Sequence, residues 1–231
     1  MRGKGRLFAV VPAAGRSRRM GRPKLLLRLA GKPVIEHVLA ALAVPPVTAI
    51  VVVLHRDDEA LRRVVSSFAS RDLKTNVLTV VPTEPPKEMI ISVQHALGDL
   101  ERAFSPNPSD AWLLALADQP TVRSSVVQLL ADRWGSSDRE ILIPTFEGRR
   151  GHPVLFGWSL AADVLNQPAA EGLNQLVRRC TSQVEEVPVA ASDILADLDC
   201  PEDFARLCGQ LGAETGEWTP AIPSDPGAID D

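Results

Sequence analysis

Short apolar runs separated by stretches of helical periodicity leave this chain few architectures to choose from. LFAVV at 7–11, AIVVVL at 49–54, VLTVV at 77–81, AWLLALA at 111–117 and ILIP at 141–144 are apolar at nearly every position. Each reads as a strand buried on both faces rather than one with a wet side. Between them, Val34 to Ala43, Asp57 to Ala69, Met89 to Leu100 and Ser124 to Trp134 carry apolar residues at helical spacing, often behind Pro, Asp or Ser start signals. Strands that alternate with helices need crossover connections, which predicts an α/β fold in three layers: a mostly parallel sheet with helices on both faces. Parallel strands end on one common edge, where ligands bind in open α/β sheets. The loops that begin at Pro12 and Asp118 are expected to share that edge.

From about residue 147 the pattern loosens into a short strand at 152–156, helical stretches at 158–165 and 171–179, the strand-like VEEVPV, and a last short helix after DLDCPEDF. The segment EGRRGHP reads as a turn between strands, placed to project side chains into a cleft. At 231 residues the chain is long enough for one substantial core, so residues 1–211 are read as a single domain. Residues 212–231 hold five acids, three prolines and no base, the composition of a disordered acidic tail. Cys180, Cys200 and Cys208 are odd in number and lack metal-type spacing, which fits a reducing compartment. The apolar run near the N-terminus is too short for a secretory or membrane segment. These features predict a cytoplasmic protein that does not engage a membrane.

The net charge of −4 conceals an asymmetry, because ten of the 25 Lys and Arg lie within residues 1–32, where no Asp or Glu occurs. Such a field attracts anions. Its bases interleave with a strand pattern and glycines rather than forming a uniform run, so it reads as a phosphate site and not as a nucleic-acid-binding arm. After the first strand comes the loop Pro12-Ala13-Ala14-Gly15-Arg16-Ser17-Arg18-Arg19-Met20-Gly21-Arg22-Pro23-Lys24. Small residues at 13–15 let backbone N–H groups approach phosphate oxygens, which Arg and Lys can neutralise. The loop matches neither G-x-x-x-x-G-K-[ST] nor G-x-G-x-x-G.

The order A-A-G-x-S-x-R-M-G-x-x-K-L-L-L, followed by G-K-P-V-I, resembles the start of the MobA-like NTP transferases, and among them most the molybdenum cofactor cytidylyltransferases. Leu116-Ala117-Asp118-Gln119-Pro120 is similar to that family's G-D-Q-P turn. Arg149-Arg150-Gly151-His152-Pro153-Val154-Leu155-Phe156 is similar to its R-G-H-P-V-L-F segment, and Asp197 to Asp203 to its D-I-D-T-P-E-D. The matches fall in family order across roughly residues 7 to 208.

The resemblance implies a fold of the nucleotide-diphospho-sugar transferase type (GT-A-like, Rossmann-like) and transfer of a nucleoside monophosphate, most of all CMP from CTP, to a phosphorylated small acceptor such as molybdopterin. It assigns the triphosphate to Gly15, Arg19 and Lys24, with Ser17 and the small residues Ala13 and Ala14 adding room and backbone donors. Lys24, Arg19 and Asp118 are the residues it marks as catalytic. Mg²⁺ is the implied cofactor, held by Asp118 and a second carboxylate, with Asp199 placed before Asp197. Magnesium prefers hard oxygen ligands shared between carboxylates and substrate phosphates. His152 falls to the acceptor side of the cleft, and a molybdoenzyme client is the implied recipient of the product.

Two departures separate this chain from the pattern. The family has Gly-Met before a Ser-Leu or Ser-Ile pair, whereas this chain has Glu88-Met89-Ile90-Ile91-Ser92-Val93. That places a carboxylate where a nucleobase edge is expected, beside Ser92. The family's acceptor-side G-D-x-G-A-R is replaced by Ala169-Ala170-Glu171-Gly172-Leu173-Asn174, which loses an Asp and an Arg and so alters acceptor recognition. Two further readings therefore stand beside the first: transfer to a sugar or alcohol phosphate on the same fold, and a non-catalytic chaperone that carries a pterin cofactor.

Overall fold

The computed structural model describes residues 5–15 and 23–210. Ser17 and Arg19, both assigned to the triphosphate above, and the tail at 212–231 lie outside these residues. One sheet runs through the described chain. Its central strands are β1 (Leu7–Ala13) and β4 (Val47–Leu54), which pair in parallel over seven positions. Both are almost wholly apolar, LFAVVPA and VTAIVVVL, and both are buried on two faces. β5 (Asn76–Val80) adds in parallel beyond β4, and β6 (Ala111–Leu114) lies in parallel on the other side of β1.

Past β6 the direction reverses. β9 (Val154–Gly157) runs antiparallel to both β6 and β7 (Ile141–Phe146), and β10 (Val184–Pro188) pairs in parallel with β7. The order is β10-β7-β9-β6-β1-β4-β5, with the two-residue β8 (Arg149–Arg150) returning on β7. A separate two-stranded ribbon, β2 (Arg28–Leu29) with β3 (Lys32–Pro33), leads into the first helix.

Helices cover both faces. On one, α1 (Val34–Leu42), α2 (Glu59–Ala69), α4 (Ser124–Ser136) and α7 (Pro201–Gln210) pack Leu39, Leu61, Val65, Leu130, Phe204 and Leu207 against Ala9, Val11, Ile50 and Val52. On the other, α3 (Met89–Phe104), α5 (Ala161–Leu165) and α6 (Leu173–Arg179) pack Ile90, Val93, Leu97, Val164 and Leu176 against Phe8, Val10, Ala49 and Val51. Alternate residues of one strand thus feed two cores, the result of the period-two pleat. This is the three-layer α/β arrangement expected from the sequence.

Three local expectations change. The apolar run at 111–117 is strand only to Leu114. Ala115 still donates to Val10 O at 3.0 Å, but β9 begins opposite Leu114, and the chain turns so that Gln119 N reaches Leu116 O. Asp118 therefore sits in a turn beyond the strand and not at its last residue. Ser124 does not cap α4: the cap position is Arg123, and no side chain bonds there. The turn expected across EGRRGHP narrows to Glu147 and Gly148, at φ 50° and 75°, because Arg149 and Arg150 pair with Phe146 and Thr145.

Candidate active site

The carboxyl ends of β1, β5, β6 and β10 and the amino end of the reversed β9 all lie at one edge of the sheet. An open cavity of about 550 Å³ occupies that edge, lined among others by Ala13, Ala14, Gly15, Lys24, Glu88, Ser92, Asp118, Asp197 and Asp199. Residues as far apart in the chain as Pro12 and Asp199 meet there because parallel pairing aligns the strand ends.

Two walls face each other. On one, β1 runs out into Ala14 and Gly15. Among the described residues, a Cβ built on Gly15 meets nothing within 4 Å, so they leave this backbone open to a ligand. The 3-10 turn Lys24–Leu26 follows, pinned by its buried Leu25 and Leu26, and it presents Lys24. On the other wall stand Asp118, from the turn after β6, and Asp199, from the segment before α7. The Lys24 Nζ donates to Asp118 Oδ2 at 2.6 Å and to Asp199 Oδ1 at 2.9 Å. The lysine side chain is 15% exposed, against 25% and 50% for the two carboxylates. Partial burial disfavours the ammonium, but hydrogen bonds and Coulomb attraction from Asp118, and then from Asp199, outweigh it and hold the lysine pKa above its ordinary value.

The two carboxylate-bearing turns are stitched together. Leu198 N donates to Asp118 O at 3.0 Å, and Gln119 Nε2 donates to Asp197 Oδ1 at 2.7 Å. Asp203 Oδ2 accepts from Asp199 N at 3.0 Å and Cys200 N at 3.1 Å, which seats the start of α7. The Arg206 guanidinium and the Cys200 thiol hold the Asp203 carboxyl well below the usual range. Asp199 is thus aimed at Lys24, whereas Asp197 is engaged by Gln119.

Glu88 occupies the cap position of α3 in extended backbone, yet its side chain makes no capping hydrogen bond. It lines the cavity one helical turn from buried Ser92. His152 stands beside the cavity and not in its lining. Its ring nitrogen Nδ1 is 3.4 Å from Leu114 O, and its backbone N donates to Ile194 O at 3.1 Å. Burial pushes its pKa below the ordinary imidazole value. The Leu114 carbonyl and the charges of Asp197 and Asp118 pull it back only in part. The preceding Gly151 is tightly enclosed: a Cβ there would stand 2.4 Å from Ile194 O. Arg150 points to Glu186 at 2.8 Å, away from the carboxylates. Glu171, where the sequence departs from the acceptor-side pattern, pairs with Arg179 at 2.7 Å.

Sequence reasoning assigned no role to Gln119 or to Lys87, which also lines the cavity. The signal for Gln119 was its place beside Asp118, a polar residue that is 3% exposed in the fold. For Lys87 only its adjacency to Glu88 was available. Among the described residues no cluster of three or more His, Cys, Asp or Glu has metal-site geometry. No helix among them is long and apolar enough to cross a membrane.

A family model described as the MobA-like NTP transferase domain matches residues 9–187. Bifunctional protein GlmU from Paraburkholderia xenovorans (strain LB400) is 32% identical over 145 residues, 62% of this chain and 29% of that protein. A 2-C-methyl-D-erythritol 4-phosphate cytidylyltransferase from Aromatoleum aromaticum is 52% identical over 61 residues, 25% of this chain and 26% of the relative. The chain therefore spans less than a third of these curated relatives' length. Two solved structures share the fold. Rv0371c from Mycobacterium tuberculosis H37Rv, in complex with manganese, has a TM-score of 0.67 at 22% identity, covering 89% of this chain and 98% of that one. The 4-diphosphocytidyl-2C-methyl-D-erythritol synthase from Anaerococcus prevotii has a TM-score of 0.67 at 15% identity, with 91% and 100% covered.

Proposed function

Because the chain belongs to the MobA-like NTP transferase family, we propose that it transfers CMP from CTP to the phosphate of a small sugar or alcohol phosphate, releasing pyrophosphate. The observation that carries this reading is the pair of walls: an open Ala14-Gly15 backbone and a lysine on one side, and two carboxylates sharing a single cation on the other. An anionic triphosphate and a hard cation suit the two walls respectively. The cytidylyltransferase and the synthase named above support CTP as donor and an alcohol phosphate as acceptor.

An oxygen of the acceptor phosphate attacks the α-phosphorus in line. The new P–O bond forms as the bond to the β-phosphate breaks, and pyrophosphate leaves. The attacking oxygen is already anionic at neutral pH, so the protein supplies position and charge neutralisation and no general base. The donor set at Asp118 and Asp199, two carboxylates converging on one positive charge, fits Mg²⁺; when bound, the ion neutralises phosphate charge and polarises the reacting phosphoryl group. Lys24 and the N–H groups of Ala14 and Gly15 add positive potential against the triphosphate. Glu88, free of any capping bond, can accept from the exocyclic amine of cytosine and repels the O4 of uracil.

A second acceptor reading, the phosphate of molybdopterin with hand-over to a molybdoenzyme, rests on the likeness of residues 149–156 to the molybdenum cofactor cytidylyltransferases and on their place beside the cavity. Pyrophosphate release decides among these. CTP, GTP, UTP and ATP are each offered with 2-C-methyl-D-erythritol 4-phosphate, hexose phosphates or molybdopterin at saturating Mg²⁺. Release with CTP and a sugar or alcohol phosphate is expected. Release only with molybdopterin favours the second reading, and no release from any pair overturns nucleotidyl transfer altogether.

A further inference from the structure

We propose that Lys24 is an internal stand-in for the divalent cation: its ammonium occupies the gap between Asp118 and Asp199 and leaves only when an anionic nucleotide draws it to the opposite wall. Cation and nucleotide binding are then coupled through one side chain. The proposal rests on the reading of Asp118 and Asp199 as the metal-holding pair.

At 2.6 Å and 2.9 Å the ammonium touches one oxygen of each carboxylate, so it lies in the space between them. A divalent ion coordinated by both must enter that same space, and two positive centres cannot share it. The turns that carry the carboxylates are fixed by hydrogen bonds to their backbones: Leu198 N donates to Asp118 O, and Asp199 N to Asp203 Oδ2. The movable party is the lysine. Its backbone is held by Leu25 and Leu26, but a lysine's four-carbon stem is flexible, and its compact charge can exchange one anion for another. The same cavity offers it the alternative, since Lys24 lines it together with Ala14 and Gly15, where phosphate oxygens are expected. A nucleotide thus supplies the anion that compensates Lys24 for losing two carboxylates, and so opens the gap. Binding free energies couple reciprocally, so the empty protein should hold a divalent ion weakly. Such a lock screens the repulsion between the two carboxylates in the resting protein, cutting the charge of the pair in half.

The test is Mn²⁺ binding to the full-length protein without nucleotide, followed by electron paramagnetic resonance of free Mn²⁺. Lys24→Met removes the charge and keeps the stem, and should bind Mn²⁺ about tenfold or more tightly than wild type, within the range usual for coupling between two ligands. Lys24→Arg retains a cation and should stay as weak as wild type. Lys87→Met deletes a charge from the same cavity that, among the described residues, pairs with neither carboxylate, and should change affinity less than about twofold. Adding Asp118→Asn to Lys24→Met should abolish the gain. Wild type binding Mn²⁺ as tightly as Lys24→Met, with Asp118 still required, overturns the lock and leaves the metal-holding pair standing. An equal gain from Lys87→Met also overturns it, in favour of a diffuse field. Failure of every form to bind Mn²⁺, even with CTP, overturns the metal-holding pair and the lock together.

Discussion

Beyond each end of the paired strands β1 and β6 a basic side chain meets an aspartate, and the two ends are built on opposite principles. At the amino end, Asp110 is 1% exposed and saturated: it accepts from Arg6 N at 2.7 Å, Arg6 Nε at 3.2 Å, Arg6 Nη2 at 2.7 Å and Asn107 N at 2.9 Å. Arg6 in turn donates to the carbonyls of Phe104 and Ser105. Burial works against the Asp110 charge, but the Arg6 guanidinium and the two backbone N–H groups hold its pKa below the usual carboxylate value. At the carboxyl end, Asp118 is 25% exposed and shares one ammonium with Asp199. A carboxylate whose lone pairs are filled by its own fold cannot take a new ligand, whereas one bound through a single movable side chain can. A base–aspartate contact thus serves structure at one end, where the base is arginine, and remains exchangeable at the other, where it is lysine.

The comparison can be broken at either end. Asp118→Asn should lower turnover on the order of a thousandfold while leaving denaturant stability and circular dichroism unchanged, because it deletes charge from the reacting site and little else. A matching loss of stability would make Asp118 structural. Asp199→Asn should follow closely, and Asp197→Asn should be milder because Gln119 already occupies it; the reverse order in pyrophosphate-release assays moves the second ligand by two residues.

Asp110→Asn should do the opposite. It should cost about 2 kcal/mol of stability in urea titration, between the values for exposed and for fully buried pairs because Arg6 is itself partly exposed, while KM and kcat hold. That deficit has a pH signature. With its folded pKa depressed, Asp110 contributes fully above the unfolded value near 3.8 and loses its contribution as pH falls below it. The stability gap between wild type and Asp110→Asn should therefore persist from pH 7 to about pH 5 and close only in stronger acid. A gap that opens on acidification would contradict the assignment. The smallest effect belongs to Glu88→Gly, which should cut the CTP-over-UTP ratio of kcat/KM by about tenfold, one good base contact, with only a few tenths of a kcal/mol change in stability. An unchanged ratio removes Glu88 from base reading.

The layered fold was legible because β1 and β4 are continuous apolar runs, and only a strand covered on both faces tolerates Ala-Ile-Val-Val-Val-Leu. The reversed β9 was not, since its Val-Leu-Phe-Gly reads the same in either direction, and its orientation follows from sitting between β6 and β7. Two-residue strands such as β2, β3 and β8 carry no periodicity to detect. In the site, the small residues after β1 and the lone aspartate beyond β6 announce themselves by type. The contact that joins them does not: Lys24 lies 94 residues from Asp118 and 175 from Asp199. Their meeting is set by strand order, and the bond from Leu198 N to Asp118 O that locks it involves backbone atoms with no residue signature.

Gly151 shapes how such a site can change over evolutionary time or in the laboratory. A side chain at this position would collide with the carbonyl of Ile194, which lies in the turn just before Asp197 and Asp199. The stretch from Arg149 to Pro153 and the stretch from Ser192 to Asp199 therefore cannot be treated as independent cassettes. A chimera that imports the first from a relative with a bulkier residue at 151 displaces the second, and an enzyme with altered acceptor contacts would arrive with its carboxylates out of register. On the proposed acceptor-side role of residues 149–156, a change of acceptor preference in this chain calls for paired transplants of both segments, or for substitutions on the flanks that leave the glycine in place.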